Sequence, residues 1–152
     1  MKYWDSSAVV PLLLDEPFSG TVRAIMSGDI EMVSWWGTSV ECCSALARVR
    51  RENGLTSEDE LMLRSRLDEL VDFWNEIIPS DSVRATARRL LLRHPLRAAD
   101  SLQLAAAFVW SEGRPDGLEF VCLDGKLRTA AQAEGFAVVP SQSVFEAVSQ
   151  ES

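Results

Sequence analysis

Four acidic residues stand in local sequences that would let their side chains meet and do chemistry. They occur in YWDSSAVV, SVECCSALAR, RAADSLQLAAA and VCLDGKLRTAA, as Asp5, Glu41, Asp100 and Asp124. Their neighbours are apolar or small, as expected beside a buried sheet, whereas an exposed helix end needs no such surroundings. Carboxylates held close together repel and raise one another's pKa values. A bound divalent cation usually compensates their negative charge.

Each acid also has a purely structural interpretation. Asp5, Asp100 and Asp124 are well placed as helix N-caps, where a carboxylate accepts hydrogen bonds from free backbone N–H groups. Asp124 followed by Gly125 is an ordinary turn dipeptide, and Glu41 would be a favourable charge in the first turn of a helix. Any single position leaves both interpretations open, but the joint pattern favours a shared site.

The elements that must position these acids alternate along the chain. The pattern predicts strands at 2–4, 31–35, 76–79, 118–123 and 136–140. It predicts helices near 6–14, 18–27, 38–52, from 57 onward, 81–93, 99–111 and 125–134, with a short helix closing the chain. Ser57 with Glu60 fits a capping box, and the periodicity assigns Leu61 and Leu91 to the apolar faces of their helices.

Strands separated by helices predict a mostly parallel sheet with helices on both faces, and the length predicts one domain over 1–152. Sites in such sheets lie beyond the carboxyl ends of the strands. Asp5 comes directly after the first predicted strand, and Asp124 directly after the fourth. The topology therefore gives both acids a reason to lie at the same edge.

The residue types indicate which ligand such a cluster would hold. Oxygen-only ligation points to Mg²⁺ or Mn²⁺. His94 is the one histidine, and we interpret it as structural or exposed. The cysteines Cys42, Cys43 and Cys122 have no metal-type spacing, so zinc is disfavoured and free buried thiols are expected. A carboxylate-held Mg²⁺ suits phosphoryl chemistry, in which it activates a water for in-line attack.

The chain has more acidic than basic residues, and its basic residues are mostly arginines. The net charge is −8, which argues against a broad positive surface for nucleic acid. Thirteen of the 15 basic residues are arginines, however, and many are clustered. Arginine matches phosphate geometry well, so we expect Arg48, Arg51 and Arg97 to bind a phosphate backbone locally, although solvated helix faces explain such residues equally well.

Location can be inferred only by elimination. No apolar stretch approaches the roughly 20 residues that a membrane span needs, and no export signal is evident. The expectation is therefore a cytoplasmic protein with no membrane partner. Trp35 and Trp36 are expected to pack in the core, with a partner-binding groove as the alternative.

On these residues the chain resembles a PIN domain, and specifically the VapC-type toxins of bacterial type II toxin–antitoxin pairs. The resemblance is carried by YWDSSAVVPLLLDEP, SVECCSALAR, RAADSLQLAAA and FVCLDGKLRTAAQAEGF, and it covers nearly the whole chain. It implies a three-layer α/β/α sandwich, a Mg²⁺-dependent endoribonuclease acting on RNA, a homodimer, and a small VapB-like antitoxin that blocks the site.

The resemblance also implies roles for individual residues. Asp5 and Asp100 match the family's most dependable metal ligands, and Glu41 matches the acid that joins them directly or through water. Asp124 matches the fourth acid, near the place of a second metal. Ser7 matches a hydroxyl that supports the first aspartate.

One position departs from the family pattern, and other functions remain open. Cys122 stands where the family commonly has a threonine or serine. The alternatives are a housekeeping PIN nuclease and a catalytically silent PIN-like interaction module, although the four intact acids count against the second. A phospho-receiver would need a pair of acids after the first strand, and a haloacid-dehalogenase-type phosphatase would need an aspartate where Ser7 stands. Neither glycine-rich nucleotide-binding motif is present.

Overall fold

A computed structural model describes residues 1–152 as five strands and eight helices. The strands are β1 (Lys2–Trp4), β2 (Met32–Trp35), β3 (Asn75–Ile77), β4 (Glu119–Val121) and β5 (Ala137–Val139). The helices are α1 (Ser6–Leu13), α2 (Ser19–Gly28), α3 (Thr38–Arg51), α4 (Ser57–Phe73), α5 (Asp81–Arg93), α6 (Ala98–Trp110), α7 (Gly125–Ala133) and α8 (Gln142–Glu151).

The five strands form one sheet in the order β3-β2-β1-β4-β5, and every pairing is parallel. The chain moves outward from β1 to β3 in its first half and outward on the other side through β4 and β5. The direction of winding therefore reverses between β1 and β4, where a crevice opens beyond the carboxyl ends of the strands. Trp4 pairs with Val121 across this junction, and the Asp5 N–H donates to the Val121 carbonyl at 3.0 Å.

Helices cover both faces of the sheet, so the predicted α/β/α sandwich is confirmed, with a sheet that is wholly parallel. Successive side chains of a strand point to opposite faces. Tyr3 and Phe120 therefore pack into a core shared with α5, α6 and α7, and their rings stack with centroids 5.0 Å apart. Trp4 and Val121 pack into a second core shared with the first four helices. Burial on both faces explains why the last two residues of β1 and of β4 are apolar, whereas Lys2 and Glu119 stand at the less buried amino ends.

The predicted capping box at the start of α4 was wrong by one residue. Thr56 and Asp59 form it: Thr56 Oγ1 accepts from the Asp59 N–H at 3.0 Å, and Asp59 Oδ2 accepts from the Thr56 N–H at 3.1 Å. Ser57 is instead the first helical residue. The Glu60 carboxylate is occupied elsewhere, since it forms ion pairs with two arginines, Arg50 and Arg64.

Other local predictions missed a boundary or a face. Strand β3 ends at Ile77, two residues before the predicted end at Pro79, and β4 is shorter than the predicted 118–123. Leu61 and Leu91 are 70% and 42% exposed, so neither lies on a buried helix face. The buried stripe of α4 runs through Leu67, which the predicted face included, and Leu63, which it did not.

Of the two tryptophans predicted to lie in the core, one does and the other does not. Trp35 lies in the core, as expected, but its neighbour Trp36 is 54% exposed, so the core assignment was wrong there. All three cysteines are free. No helix combines the length and the apolar character that crossing a bilayer requires.

Candidate active site

A cavity of about 970 Å³ opens at the carboxyl end of the sheet, beside the β1–β4 junction. All four predicted acids line it: Asp5, Glu41, Asp100 and Asp124. Two of them come from the turns that follow β1 and β4, and two from the first turns of α3 and α6. The fold therefore gathers residues from both halves of the chain at the point where the winding reverses.

Asp5 is the most firmly held of these acids. It caps α1, because its Oδ2 accepts from the Ser7 N–H at 3.1 Å and from the Ser7 hydroxyl. Ser7 Oγ accepts in turn from the Leu123 N–H at 2.8 Å, which ties the turn after β1 to the turn after β4. All hydrogen bonds to the Asp5 side chain fall on Oδ2, so Oδ1 has no protein partner. Asp5 is thus both a helix cap and a carboxylate with one free oxygen.

Glu41 reaches the same cavity from the first turn of α3. Its Oε1 accepts from the Ser6 hydroxyl at 3.2 Å, and its Oε2 accepts from the side-chain amide of Gln103 at 2.7 Å. Both oxygens therefore have neutral donors. The carboxylate is oriented without a cation being used to hold it.

Asp100 and Asp124 border the cavity from the opposite side. Helix α6 begins at Ala98 with Arg97 as its N-cap, so Asp100 lies in the first turn and the N-cap interpretation of that residue was wrong. Asp124 does cap α7, and its Oδ1 accepts from the Leu127 N–H at 2.9 Å. As with Asp5, capping leaves one carboxylate oxygen of Asp124 free.

Burial and mutual repulsion disfavour the charged forms of Asp5, Glu41 and Asp100. The pKa of Asp5 rises to about 6, first because of burial and further because of the negative charge of Asp100, although hydrogen bonds oppose the rise. The pKa of Glu41 rises to about 7, again mainly through burial, with a contribution from Asp5. The pKa of Asp100 is raised by burial and then by Asp124. The four acids therefore act as one electrostatically linked cluster.

Three basic residues line the cavity together with the acids: Arg48, Arg97 and Lys126. Two of the three predicted phosphate-binding arginines are thus beside the acids, whereas Arg51 is exposed outside the cavity. No lysine or arginine nitrogen lies within 4.0 Å of any of the four carboxylates. These three side chains share the cavity with the acids, where they could contact a bound anion, but they form no ion pair with any of the four carboxylates.

Cys122 contacts Asp5 more than it contacts the Asp124 side chain. Its Sγ lies 3.6 Å from Asp5 Oδ2 and 3.7 Å from Ser7 Oγ, but it reaches only the backbone carbonyl of Asp124. Burial raises the pKa of this thiol well above its usual range, so it stays protonated. A thiol is a weak hydrogen-bond donor, and its presence affects the support of Asp5 rather than the position of Asp124.

Four residues that build the site were not predicted. Glu16 and Lys126 line the cavity, and Ser6 and Gln103 hold Glu41. The signal for Gln103 was present, since it is the one polar residue in the apolar run LQLAAAFVW. No comparable local signal separates Glu16 or Lys126 from an exposed charged residue, because only the tertiary fold brings them to the cavity.

The donors at this cavity fit a hard divalent cation held by few protein ligands. The central acids offer carboxylate oxygens, are not ion-paired, and leave Asp5 Oδ1 without a partner. No group of three or more His, Cys, Asp or Glu side chains is arranged to hold a metal ion. Mg²⁺ commonly binds through one or two carboxylates and keeps several waters. A preformed shell of three side chains is therefore not required for it.

Two known proteins resemble this chain over almost its whole length, although no family model matches the sequence. Ribonuclease VapC45 of Mycobacterium tuberculosis strain CDC 1551 / Oshkosh is 36% identical over 145 residues, covering 93% of this chain and 96% of the relative. Ribonuclease VapC49 of strain ATCC 25618 / H37Rv has the same identity and coverage.

Solved structures show the same fold at lower identity. FitAcB from Neisseria gonorrhoeae matches with a TM-score of 0.64 at 19% identity, covering 91% of this chain and 96% of the other. PAE2754 from Pyrobaculum aerophilum gives 0.62 at 16% identity, over 99% and 96%. A toxin–antitoxin complex from Klebsiella pneumoniae gives 0.58 at 15% identity, over 83% and 88%. With the fold shared and more than a third of the residues identical to two VapC ribonucleases, this chain belongs to the VapC ribonuclease family.

Proposed function

We propose that this protein is a divalent-metal-dependent endoribonuclease and the toxin of a toxin–antitoxin pair. The observation that carries the proposal is the cluster of four carboxylates without ion pairs at the switch point of the sheet, of which Asp5 is buried. Family membership supports the reaction, since the two sequence relatives are ribonucleases. A buried acid without an ion pair, such as Asp5, destabilises a fold, and a bound cation explains why a chain would carry it.

Asp5 and Asp100 are the residues proposed to hold Mg²⁺ or Mn²⁺, with Glu41 joining them directly or through water. Asp124 is proposed as the fourth acid of the site. The bound ion would neutralise a phosphate oxygen and lower the pKa of a water that attacks the phosphodiester. Ser7 keeps Asp5 in place by donating to its Oδ2, which leaves Oδ1 free for the metal.

The basic rim of the cavity is proposed to hold the RNA backbone. Arg48, Arg97 and Lys126 flank the acids and form no ion pair within 4.0 Å. Their charges would offset the repulsion between a polyanion and a protein of net charge −8. Arg51 lies outside this rim and has no role in the proposal.

The proposed partner is a small VapB-like antitoxin, and the proposed assembly is a homodimer. The structurally similar Klebsiella pneumoniae chain comes from a toxin–antitoxin complex, which supports the first part. An antitoxin arginine inserted among unpaired carboxylates would block the site, because guanidinium groups bind carboxylates strongly. An antitoxin complex in which the four acids remain open to solvent would contradict this mode of inhibition.

The direct test is cleavage of defined RNAs by the purified protein. Transfer RNA, a structured ribosomal fragment and unstructured RNA would each be incubated with Mg²⁺, with Mn²⁺ and with EDTA. Cleavage that requires the metal supports the proposal. Absence of cleavage with every RNA and both metals, together with tight binding of the antitoxin, would favour a catalytically silent interaction module instead.

A further inference from the structure

One buried glutamine connects the hydrophobic core to Glu41. Gln103 lies on α6 and is fully buried. Its Oε1 accepts from the Tyr3 hydroxyl at 2.6 Å, while its Nε2 donates to Glu41 Oε2 at 2.7 Å and to Thr38 Oγ1 at 2.9 Å. Both N–H groups and the carbonyl of the amide therefore have partners. A fully satisfied polar network of this kind fixes the side chains that compose it.

The orientation of the amide is set by its partners. An ionised carboxylate only accepts hydrogen bonds, so the NH₂ group of Gln103 must face Glu41, which leaves its carbonyl for Tyr3. Thr38 is held from its other side, since Ser34 Oγ lies 2.9 Å from Thr38 Oγ1 and 2.8 Å from the Trp4 carbonyl oxygen. While Glu41 is ionised, a flipped amide would place two acceptors 2.7 Å apart. In that state the network permits one orientation of the Gln103 amide.

The rest of α6 shows that packing alone does not explain this residue. The neighbouring side chains Leu104, Ala105, Ala106 and Ala107 are fully buried and apolar. An apolar residue of similar volume would fill the same space without requiring hydrogen-bond partners. What glutamine adds at this position is a donor pointed at Glu41.

We propose that Gln103 is a positioning residue, which holds the Glu41 carboxylate at the cavity and is itself held by Tyr3 and Thr38. This inference rests on the proposed function for its effect on metal binding and cleavage. Gln103 does not line the cavity and would touch neither the metal nor RNA. Without it, Glu41 retains only the longer hydrogen bond from Ser6, at 3.2 Å, and its carboxylate gains freedom to leave the site.

The test compares Gln103→Met, which keeps the volume and removes the donor, with a matched control. Ser111→Ala removes a buried hydroxyl at the other end of α6, where Ser111 Oγ donates to the Phe108 carbonyl at 2.8 Å, away from the cavity. Mn²⁺ affinity by calorimetry, kcat and KM for RNA, and Tm would be measured for both variants and the wild type.

We expect Gln103→Met to weaken Mn²⁺ binding or kcat about 10- to 100-fold, as residues that orient metal ligands commonly do, with KM for RNA nearly unchanged. Ser111→Ala should lower Tm without either effect. Values for Gln103→Met within about twofold of the wild type would overturn the proposal. If Gln103→Met does not fold, Tyr3→Phe decides: it removes one neutral hydrogen bond from the amide, and a loss of about 2- to 10-fold is expected.

Failure of the proposed function is recognised separately. If the wild type neither binds Mn²⁺ nor cleaves RNA, a crystal structure of Gln103→Met still tests whether Gln103 positions the Glu41 carboxylate. Displacement of the Glu41 carboxylate by about 1 Å or more, a shift large enough to matter for catalysis, would support the positioning role. An unmoved carboxylate would overturn it.

Discussion

The two ends of the central strand, β1, place a carboxyl group in opposite electrostatic environments. At the amino end of β1, Asp29 accepts from the N-terminal amine and from Lys2 Nζ at 3.3 Å, and these hydrogen bonds lower its pKa to about 2. At the carboxyl end, only three residues after Lys2, Asp5 has no cation partner, and burial raises its pKa to about 6. One acid is stabilised in its charged form and the other is not.

This difference separates an acid whose charge stabilises the fold from an acid whose charge destabilises it. A carboxyl whose pKa falls on folding stabilises the native state near neutral pH, whereas one whose pKa rises destabilises it. The chain could have paired Asp5 with an arginine, as it pairs Asp29 with Lys2, but the nearby Arg48 and Arg97 lie beyond 4.0 Å. At the carboxyl end of the sheet, the negative charge of Asp5 therefore has no cationic side chain to balance it.

The largest expected effect follows from removing the charge of Asp5. Asp5→Asn should reduce metal-dependent RNA cleavage on the order of 1,000-fold, because a catalytic metal contributes several kcal/mol to the transition state. The fold should survive, since asparagine also caps helices well. Cleavage assays and circular dichroism check both parts. Asp29→Asn is the matched control at the other end of β1, and a similar loss of cleavage in it would remove the distinction between the two ends.

The second prediction concerns stability against pH without added metal. Between about pH 4 and pH 6 the unfolded chain has lost the Asp5 proton while the folded protein still binds it, so stability should fall as pH rises. The shift of Asp5 from 3.8 to about 6 corresponds to a loss of about 3 kcal/mol. Urea unfolding across this range measures it. Asp5→Asn should make the curve less steep below about pH 6, while the slope due to Glu41 remains up to about pH 7. An equally steep curve in that variant would contradict the assignment.

The same experiment sharpens the comparison at lower pH. Asp29 contributes stability that is present above its usual pKa of 3.8 and is lost as pH falls through about 2. Its effect therefore has the opposite sign and lies in a different pH window from that of Asp5. Asp29→Asn should lower stability by a constant amount above about pH 4 and change the slope of the curve only on the acid limb.

The third prediction compares two arginines on one helix. Arg48→Ala should raise KM for RNA several-fold and reduce its salt dependence, because Arg48 lines the cavity and would contact phosphate. Arg51→Ala should leave KM nearly unchanged, since Arg51 lies outside the cavity. Steady-state cleavage at two salt concentrations distinguishes them. Equal effects would show that RNA binding depends on the general charge of α3 rather than on the cavity rim.

The smallest expected effect is on the thermal stability of the paired end. Asp29→Asn removes partly exposed ion pairs with Lys2 and the N-terminal amine. Pairs of this kind contribute little, so Tm should fall by about 2 to 4 °C at most. Differential scanning fluorimetry measures the change. A much larger drop would mean that the amino end of the sheet carries more of the stability than its exposure suggests.

The position of the acids could be predicted because it depends on strand and helix order. Asp5 and Asp124 follow strands directly, and parallel strands bring their carboxyl ends to one edge. That relation survives errors in strand length, such as the shorter β4. The parallel sheet covered by helices and the meeting of Asp5 with Asp124 followed from this order, whereas Glu41 and Asp100 were assigned from the joint pattern and the family resemblance.

What could not be predicted depends on contacts between distant segments. Whether Leu61 or Leu63 faces the core is decided by how α4 lies on its neighbours, and the periodicity of an amphipathic helix leaves that rotation uncertain. Gln103 meets Glu41 only because the fold brings the first turn of α3 within hydrogen-bond reach of α6. Glu16 reaches the cavity from a loop, where no periodic signal exists.

The central claim is that the unpaired acids at the carboxyl end of the sheet hold a divalent cation. The most direct test is calorimetric titration of Mn²⁺ into the wild type and into the Asp5→Ala/Asp100→Ala double variant, with circular dichroism to establish that both are folded. We expect saturable binding by the wild type and none by the double variant. Equal binding by the two proteins would contradict the claim.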